Sequence, residues 1–134
     1  MSQTQLRIDI VTPYGVLFSD DATSCIAKGL DGKFQILSSH AALLSNIALG
    51  EIKIDTNNTT RKLATSGGFL EVKDNNISII VESAEFADDI DMTRAKEAEK
   101  RAKKRKQEKG EVDLVRVEFA LMRAINRIKV SSRI

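Results

Sequence analysis

Apolar and polar residues alternate along about the first two thirds of the chain, which is the pattern of strands that bury one face. Leu6, Ile8 and Ile10 alternate with charged residues, and segment 13–15, which contains a proline and a glycine, then interrupts the pattern. Further strands are predicted at residues 16–18, 22–28, 33–37, 47–55, 61–65, 69–73 and 77–82. Because these strands are short and no helical pattern separates them, we predict an antiparallel β-sandwich, or flattened barrel, of about ten strands over residues 1–86.

The connections between the strands follow from their turn residues. Residues 47–55 are predicted to form one strand with a bulge at Gly50, where the alternation slips, and residues 38–44 are predicted to form a loop. Turns rich in Gly, Asn or Asp are predicted at residues 29–32, 57–58 and 74–76.

After residue 86 the apolar residues recur at helical spacing. The pattern predicts helices at about 91–106 and 113–130, and a turn at Gly110 would join them into an antiparallel hairpin within residues 87–134. Asp88, Asp89 and Asp91 stand where the first helix begins and suit the positive end of its dipole.

The two predicted helices differ in their apolar faces. The first carries a narrow stripe of Ala95, Ala98 and Ala102, so its packing contributes little hydrophobic stabilisation. The second carries a broad stripe, formed by Leu114, Val117, Leu121, Ile125 and Ile128. Because the alanines cannot cover this stripe alone, we predict that the second helix also packs on the sandwich or on another protein, and that the hairpin is a movable element.

The helices repeat one arrangement of arginines at i, i+4, i+7 and i+11, with alanine at the second position. The residues are Arg94, Ala98, Arg101 and Arg105 in the first helix and Arg116, Ala120, Arg123 and Arg127 in the second. Each set lies along one helical face. Two interpretations stay open: the arginine stripes flank an anion site, or they are solvated faces that nearby glutamates partly offset.

Length and composition limit the classes of protein that the chain could belong to. The 134 residues suit one compact domain with a small appendage. The net charge is +2, but the charges are unevenly distributed along the chain. Residues 1–86 carry 7 Lys+Arg against 10 Asp+Glu, whereas residues 87–134 carry 14 against 9. With one Cys and one His, we expect neither an internal disulfide nor a zinc site, and we expect no secretory leader or membrane span.

The sequence offers no convincing catalytic constellation. His40 follows Ser38 and Ser39, but the segment lacks the G-x-S-x-G context of a hydrolase, and the glycine pair at 67–68 lacks the spacing of a phosphate loop. The basic run 103–106 favours a solvated helix end. A nucleic-acid-binding module that uses the basic hairpin is kept as an alternative function.

Several segments in order resemble the epsilon subunit of bacterial F-type ATP synthase, the counterpart of the mitochondrial delta subunit. The segments are IVTPYG with Phe18, GLDGKFQIL followed by His40, IALGEIKI, SGGFLEVKDNNISIIVESAE, DIDMTRAKEAEKRA and ALMRAINRIKV. The resemblance covers essentially the whole chain.

The resemblance implies a non-catalytic rotor subunit of the central stalk. Its sandwich would bind the gamma subunit and the membrane ring, without itself entering the membrane, at the cytoplasmic face of the bacterial plasma membrane. Its hairpin would either fold against the sandwich or extend towards the alpha and beta subunits and inhibit ATP hydrolysis. No cofactor is implied as a requirement, and no nucleic acid partner.

The resemblance also implies a regulatory ATP site. The family's ATP-binding motif, I/L-D-x-x-R-A, corresponds here to Ile90, Asp91, Arg94 and Ala95. The site is completed by residues that match a family glutamate and three arginines, namely Glu85, Arg101, Arg123 and Arg127. A bound triphosphate would lie against the arginines and hold the hairpin down.

One departure from the family pattern concerns the loop around His40. Relatives usually carry prolines there, as in ILPxHxPL, where this chain has serine at 38 and alanine at 42. Loss of prolines raises the entropy of the unfolded chain, so a looser loop near the ring is expected.

Overall fold

A computed structural model describes residues 5–108 and 113–132, which form two packed β-sheets followed by two helices. The elements are β1 (Leu6–Thr12), β2 (Gly15–Ala22), β3 (Ser24–Gly29), β4 (Gly32–Leu37), β5 (Leu43–Ile47), β6 (Gly50–Asp55), β7 (Thr60–Thr65), β8 (Gly68–Lys73), β9 (Asn76–Val81), β10 (Ala84–Phe86), a 3₁₀ turn (Ala87–Asp89), α1 (Met92–Gln107) and α2 (Leu114–Ser132). The predicted β-sandwich followed by two helices is therefore confirmed.

Each sheet has five strands. The order is β2-β1-β9-β8-β5 in the first sheet and β10-β7-β6-β3-β4 in the second. The pairings between the described strands are antiparallel apart from β1 with β9, which run parallel. The antiparallel prediction thus holds except at the centre of the first sheet.

The sandwich core follows from the alternation in the sequence. Inward-facing positions of both sheets carry fully buried aliphatic side chains, namely Leu6, Ile8, Ile10, Ile36, Ile52, Ile54, Leu63, Leu70, Ile77 and Ile79. Cys25 lies among them, and burial raises the pKa of its thiol to about 12. It behaves as a small core residue.

The structure corrects the predicted strand at 47–55. Residues 43–47 and 50–55 form separate strands, β5 and β6, and these belong to different sheets. The slip at Gly50 is therefore the start of a new strand after a crossing between the sheets, and no bulge is present there. The predicted loop at 38–44 was also too long, since β5 begins at Leu43.

Gly67 and Gly68 are required where the chain enters β8. Gly67 has φ +113°, and a Cβ at Gly68 would lie 2.0 Å from the carbonyl oxygen of Ile80 on β9. A side chain at Gly68 would push β8 away from β9. The pair therefore has a structural role, as its spacing indicated.

Polar side chains cap both helices. Asp91 accepts a hydrogen bond from the backbone N–H of Arg94 (3.1 Å), and Asp113 accepts from those of Val115 and Arg116 (3.1 and 3.2 Å). Asp88 and Asp89 lie in the 3₁₀ turn just before α1. The helices lie against each other, but the predicted turn at Gly110 falls outside the described residues.

The second helix packs on the sandwich as well as on α1. Val130 and Ile128 of α2 join an apolar cluster with Ala64 of β7 and with Ile90 and Ala95. The prediction that α2 needs a second partner is confirmed. Part of its apolar stripe is nevertheless exposed, since the exposed fractions of Leu114 and Ile125 are 54% and 38%. Over the described residues, neither helix is long and apolar enough to span a membrane.

Candidate functional site

A cleft of about 810 Å³ lies between α1 and α2 and reaches the sandwich at Ser83. Its size is within the range of about 300–1,000 Å³ that is common for small-molecule sites. Arginines from both stripes line it, namely Arg101 and Arg105 of α1 and Arg116, Arg123 and Arg127 of α2. The structure thus brings the two predicted stripes to one cavity.

Positive charge predominates in the cleft. Five arginines line it, and the lining acids, Glu108 and Asp113, belong to the segments that flank the connection between the helices. The alanines of the stripes, Ala98 and Ala120, also line it, so no large side chain fills the space between the guanidinium groups. Because like charges repel, this arrangement favours a polyanion between the helices.

The sandwich contributes one carboxylate to this region through Glu85 of β10. Arg127 donates from Nε to Glu85 Oε1, and its Nη2 lies 3.4 Å from Glu85 Oε2. The two side chains are about one third exposed, at 29% and 34%, so the pair contributes about 1 kcal/mol or less. It ties α2 to the edge of the second sheet.

The remaining residues of the predicted ATP motif lie outside the lining of the cleft. Ile90 and Ala95 are buried in the apolar cluster beneath α2, and Asp91 caps α1. Arg94 is exposed on the first turns of α1. The structure therefore groups Arg101, Arg123 and Arg127 around the cleft, with Glu85 beside them, and gives Ile90, Asp91 and Ala95 a supporting position.

Two residues near the cleft were not identified from the sequence. Ser83 lines it from the strand connection before β10, and Asn126 donates from Nδ2 to the carbonyl oxygen of Gly50 (2.8 Å). The second contact ties α2 to the start of β6. No spacing in the sequence links either residue to the arginines. Arg123 is further positioned by Phe119, whose ring centre lies 5.0 Å from its guanidinium carbon.

A second surface lies on the outer face of the first sheet. Directly paired residues of four neighbouring strands form an apolar row, which consists of Val16, Val11, Ile80 and Phe69. Their exposed fractions are 67%, 36%, 60% and 56%. The row spans about 14 Å at the usual spacing between strands, and a polar row of Asp9, Ser19, Ser78 and Glu71 runs beside it.

The loop around His40 is anchored to the neighbouring turn. The N–H of Ser39 donates to Asn75 Oδ1 (2.6 Å), and His40 donates from Nδ1 to the carbonyl oxygen of Ala41 (2.7 Å). The histidine thus takes part in a local loop contact. The contact with Asn75 restrains this loop, which the resemblance predicted to be looser.

The fold and cleft define a class of protein: a β-sandwich followed by a helical hairpin whose two helices line an arginine-rich cleft. Two family models match the chain, the beta-sandwich domain of the ATP synthase delta/epsilon chain over residues 5–87 and its long alpha-helix domain over residues 88–132. The chain therefore belongs to the delta/epsilon chain family of ATP synthase.

Individual relatives agree with this assignment. The chain is 45% identical to the ATP synthase epsilon chain of Desulforamulus reducens over 98% of its own length and 99% of that protein. It is 39% identical to the epsilon chain of Desulfitobacterium hafniense over 91% and 92% of the two chains.

Solved structures support the fold. A chain of the Euglena gracilis mitochondrial ATP synthase is similar with a TM-score of 0.79 at 19% identity, over 90% of this chain and 77% of that one. A chain from the central stalk and c-ring of the Tetrahymena thermophila mitochondrial enzyme has a TM-score of 0.59 at 18% identity, over 99% and 98%. None of these comparisons supports the nucleic-acid-binding alternative.

Proposed function

We propose that the chain is a non-catalytic subunit of the ATP synthase central stalk, which links the gamma subunit to the membrane ring at the cytoplasmic face of the plasma membrane. The observation that carries this function is the match of both family models, one on the sandwich and one on the hairpin. The chain contributes to ATP synthesis through rotation with the stalk, and its hairpin restrains ATP hydrolysis.

The apolar row of Val11, Val16, Phe69 and Ile80 is the docking face for the gamma subunit. Its exposed side chains stand in register across four strands. The row therefore suits an apolar ridge of the gamma subunit that crosses the strands. The acids of the adjacent row, Asp9 and Glu71, disfavour an anionic lipid surface there and suit basic flanks on a protein. The loop around His40 lies at an end of the sandwich, and this loop contacts the membrane ring.

This docking face is tested by Ile80→Lys, which places a charge in the centre of the row. We expect the affinity for purified gamma subunit, measured by titration calorimetry, to fall at least about tenfold, because a central apolar contact is lost and a charge is desolvated. Leu30→Lys makes the same change at an exposed leucine in the β3–β4 turn and should have no effect. Unchanged binding of the Ile80 variant would exclude this face.

The arginine cleft is a regulatory site for ATP. The support is the convergence of five arginines from both helices on a cavity that also touches the sandwich. A triphosphate there would neutralise the repulsion between the stripes through charge-assisted hydrogen bonds. Because the ligand would touch both helices and Ser83, its binding would favour the hairpin held against the sandwich over the extended form.

Titration of the whole chain with ATP, with and without magnesium, tests this site. We expect saturable binding that weakens at least about tenfold in Arg101→Ala/Arg123→Ala, since each arginine contributes a charged hydrogen bond. Lys100→Ala/Lys104→Ala removes the same charge from exposed positions outside the lining and should bind as the wild type does. Absence of binding at millimolar ATP would leave the arginines as contact surfaces for partner subunits.

A further inference from the structure

A separate pocket of about 290 Å³ lies where β6 and β7 meet the 3₁₀ turn that precedes α1. It shares none of its described lining residues with the arginine cleft. Its volume is at the lower end of the range of about 300–1,000 Å³ for small-molecule sites, so it suits a small ligand. The lining consists of Lys53, Thr60, Arg61, Lys62, Phe86, Ala87 and Asp88.

Two lysines bring positive charge to this pocket from neighbouring strands. Lys53 of β6 and Lys62 of β7 are directly paired across the ladder, and like charges at such positions destabilise a sheet unless they are offset. Nearby carboxylates act on both: Lys62 Nζ lies 4.0 Å from Glu51 Oε1, and the charge of Lys53 lowers the pKa of Asp55. Neither carboxylate is among the described residues that line the pocket. Positive charge therefore faces the pocket itself.

Arg61 adds a third cation, and an aromatic ring holds it in place. Its guanidinium carbon lies 3.8 Å from the centre of the Phe86 ring. Within residues 5–108 and 113–132, no carboxylate lies within ion-pair distance of this guanidinium, although Asp20 and Asp21 line a neighbouring pocket that Arg61 also reaches. Stacking on a ring leaves the N–H groups at the edge of the guanidinium plane available. Such a fixed fork suits two oxygens of a tetrahedral oxyanion.

The other polar groups of the pocket are acceptors. The Thr60 hydroxyl donates to Asp55 Oδ1 (2.6 Å), so the Thr60 oxygen presents lone pairs to a ligand. The exposed carboxylate of Asp88, in the 3₁₀ turn, only accepts when it is ionised. It would repel an anion that carries no proton, such as sulfate, and accept a hydrogen bond from an anion that carries one. Inorganic phosphate retains a proton at neutral pH.

We propose that this pocket binds inorganic phosphate in a protonated form. Arg61, Lys53 and Lys62 bind its charged oxygens, and Asp88 accepts from its P–OH group and selects it over sulfate. The ion would bridge strands of the second sheet and the turn that leads into α1. Because the pocket and the arginine cleft share no described lining residue, this proposal does not depend on the ATP site proposed above.

NMR titration of the whole chain with inorganic phosphate, at neutral pH and constant ionic strength, tests the site. We expect saturable shifts of the amide signals of residues 60–62 and 87–88, at about millimolar phosphate, and at least about tenfold weaker binding of sulfate. Glycerol phosphate, which represents a lipid head group, should also bind more weakly because it loses an oxygen to the ester. Equal affinity for phosphate and either other anion, or shifts confined to the helices, would overturn the proposal.

The role of Asp88 in selecting phosphate is tested by Asp88→Asn. The new amide donates as well as accepts, so we expect the preference for phosphate over sulfate to fall from about tenfold to about equal affinities. Asp89→Asn makes the same charge change in the same turn, outside the described lining, and should keep the preference. A preference that persists in the Asp88 variant would contradict the selection.

The role of Arg61 is tested by Arg61→Gln. This change removes the charged fork, so phosphate binding should weaken about tenfold. Lys73→Gln removes an equal charge at the exposed end of β8 and should bind phosphate as the wild type does. Equal weakening in both variants would show that the overall charge of the protein attracts phosphate, and it would exclude a defined site at Arg61.

Discussion

Asp55, at the end of β6, joins three strands through its carboxylate. It accepts hydrogen bonds from the hydroxyls of Thr60 on β7 (2.6 Å) and Ser24 on β3 (3.0 Å). The bond from Thr60, then that from Ser24 and the charge of Lys53, outweigh partial desolvation and lower the pKa of Asp55. Ionised Asp55 therefore stabilises the folded sandwich.

The lowered pKa predicts a pH-dependent effect of Asp55→Asn. A carboxyl with a depressed folded-state pKa stabilises the protein above its unfolded value, near 4, and loses that contribution as pH falls through its folded value. We expect the variant to lose about 1 kcal/mol of unfolding free energy at pH 7 and to approach the parent in more acidic solution. Urea denaturation at several pH values measures this.

The control for this prediction is Asp31→Asn, which alters an exposed carboxyl in the β3–β4 turn. Its effect on stability should be small at every pH. A deficit in the Asp55 variant that stays constant from neutral to strongly acidic pH would show that the charge of Asp55 is not the cause.

At the level of elements, α2 is tied to the sandwich by few contacts. Two polar ones are Asn126 to Gly50 and Arg127 to Glu85, and the apolar cluster around Val130 adds alanine and isoleucine side chains. Contacts of this size contribute about 1 kcal/mol each. The proposed extension of the hairpin would have to break these contacts.

Loosening of this attachment is predicted for Asn126→Ala/Glu85→Gln. The first change leaves the carbonyl of Gly50 without its side-chain donor, and the second removes the charge that faces Arg127. We expect amide hydrogen exchange in α2 to accelerate about tenfold or more while exchange in the core strands stays unchanged. Met122→Ala, at an exposed position of α2, should leave exchange as it was. Equal acceleration in sandwich and helix would instead indicate one cooperative unit.

Most elements could be predicted from the sequence because local residue patterns determine them. The prediction was wrong where pairing with a distant strand determines which residues form a strand. The alternation slips between Ile47 and Ile52, which we interpreted as a bulge within one strand, yet the chain passes from one sheet to the other at residues 48–49. The short strand β10 was missed because three residues are too few to show a period, and its pairing with β7 forms it.

The candidate site likewise combines features that local spacing predicts with features that only the tertiary fold creates. Helical spacing was enough to predict both arginine stripes, since residues on one face of a helix are local neighbours. Ser83 reaches the cleft only because β10 returns beside β7, and nothing in its local sequence signals this. Arg94 matched the motif but lies outside the cleft lining, because a motif specifies residue types without their final direction.

At the scale of the molecule, charge is divided between the two parts of the chain. The sandwich region has an excess of acids and the hairpin region an excess of bases, so the two attract each other weakly when the hairpin is docked. The same basic hairpin, once extended, would suit acidic surfaces of the alpha and beta subunits. In this proposal, the docked and extended forms would compete for one set of arginines.

Charge reversal tests the extended form in a reconstituted ATP synthase. Arg116→Glu/Arg123→Glu should relieve inhibition of ATP hydrolysis, because like charges would then face acidic partner surfaces. Arg127 is left intact so that its pair with Glu85 still attaches the hairpin. Lys100→Glu/Lys104→Glu makes an equal charge change on α1 as a control. Unchanged hydrolysis rates in the α2 variant would exclude inhibition through these arginines.

The small side chains that α1 buries bear on how quickly the proposed opening of the hairpin would occur. Ala95 and Ala102 are buried, but a methyl group does not interlock with a facing helix as leucine or isoleucine does. The helices can separate without first withdrawing long side chains from deep holes, and little apolar area is exposed at the barrier. We therefore expect opening on the microsecond to millisecond timescale of element motions. Such a hairpin would follow changes in ligand concentration almost without delay.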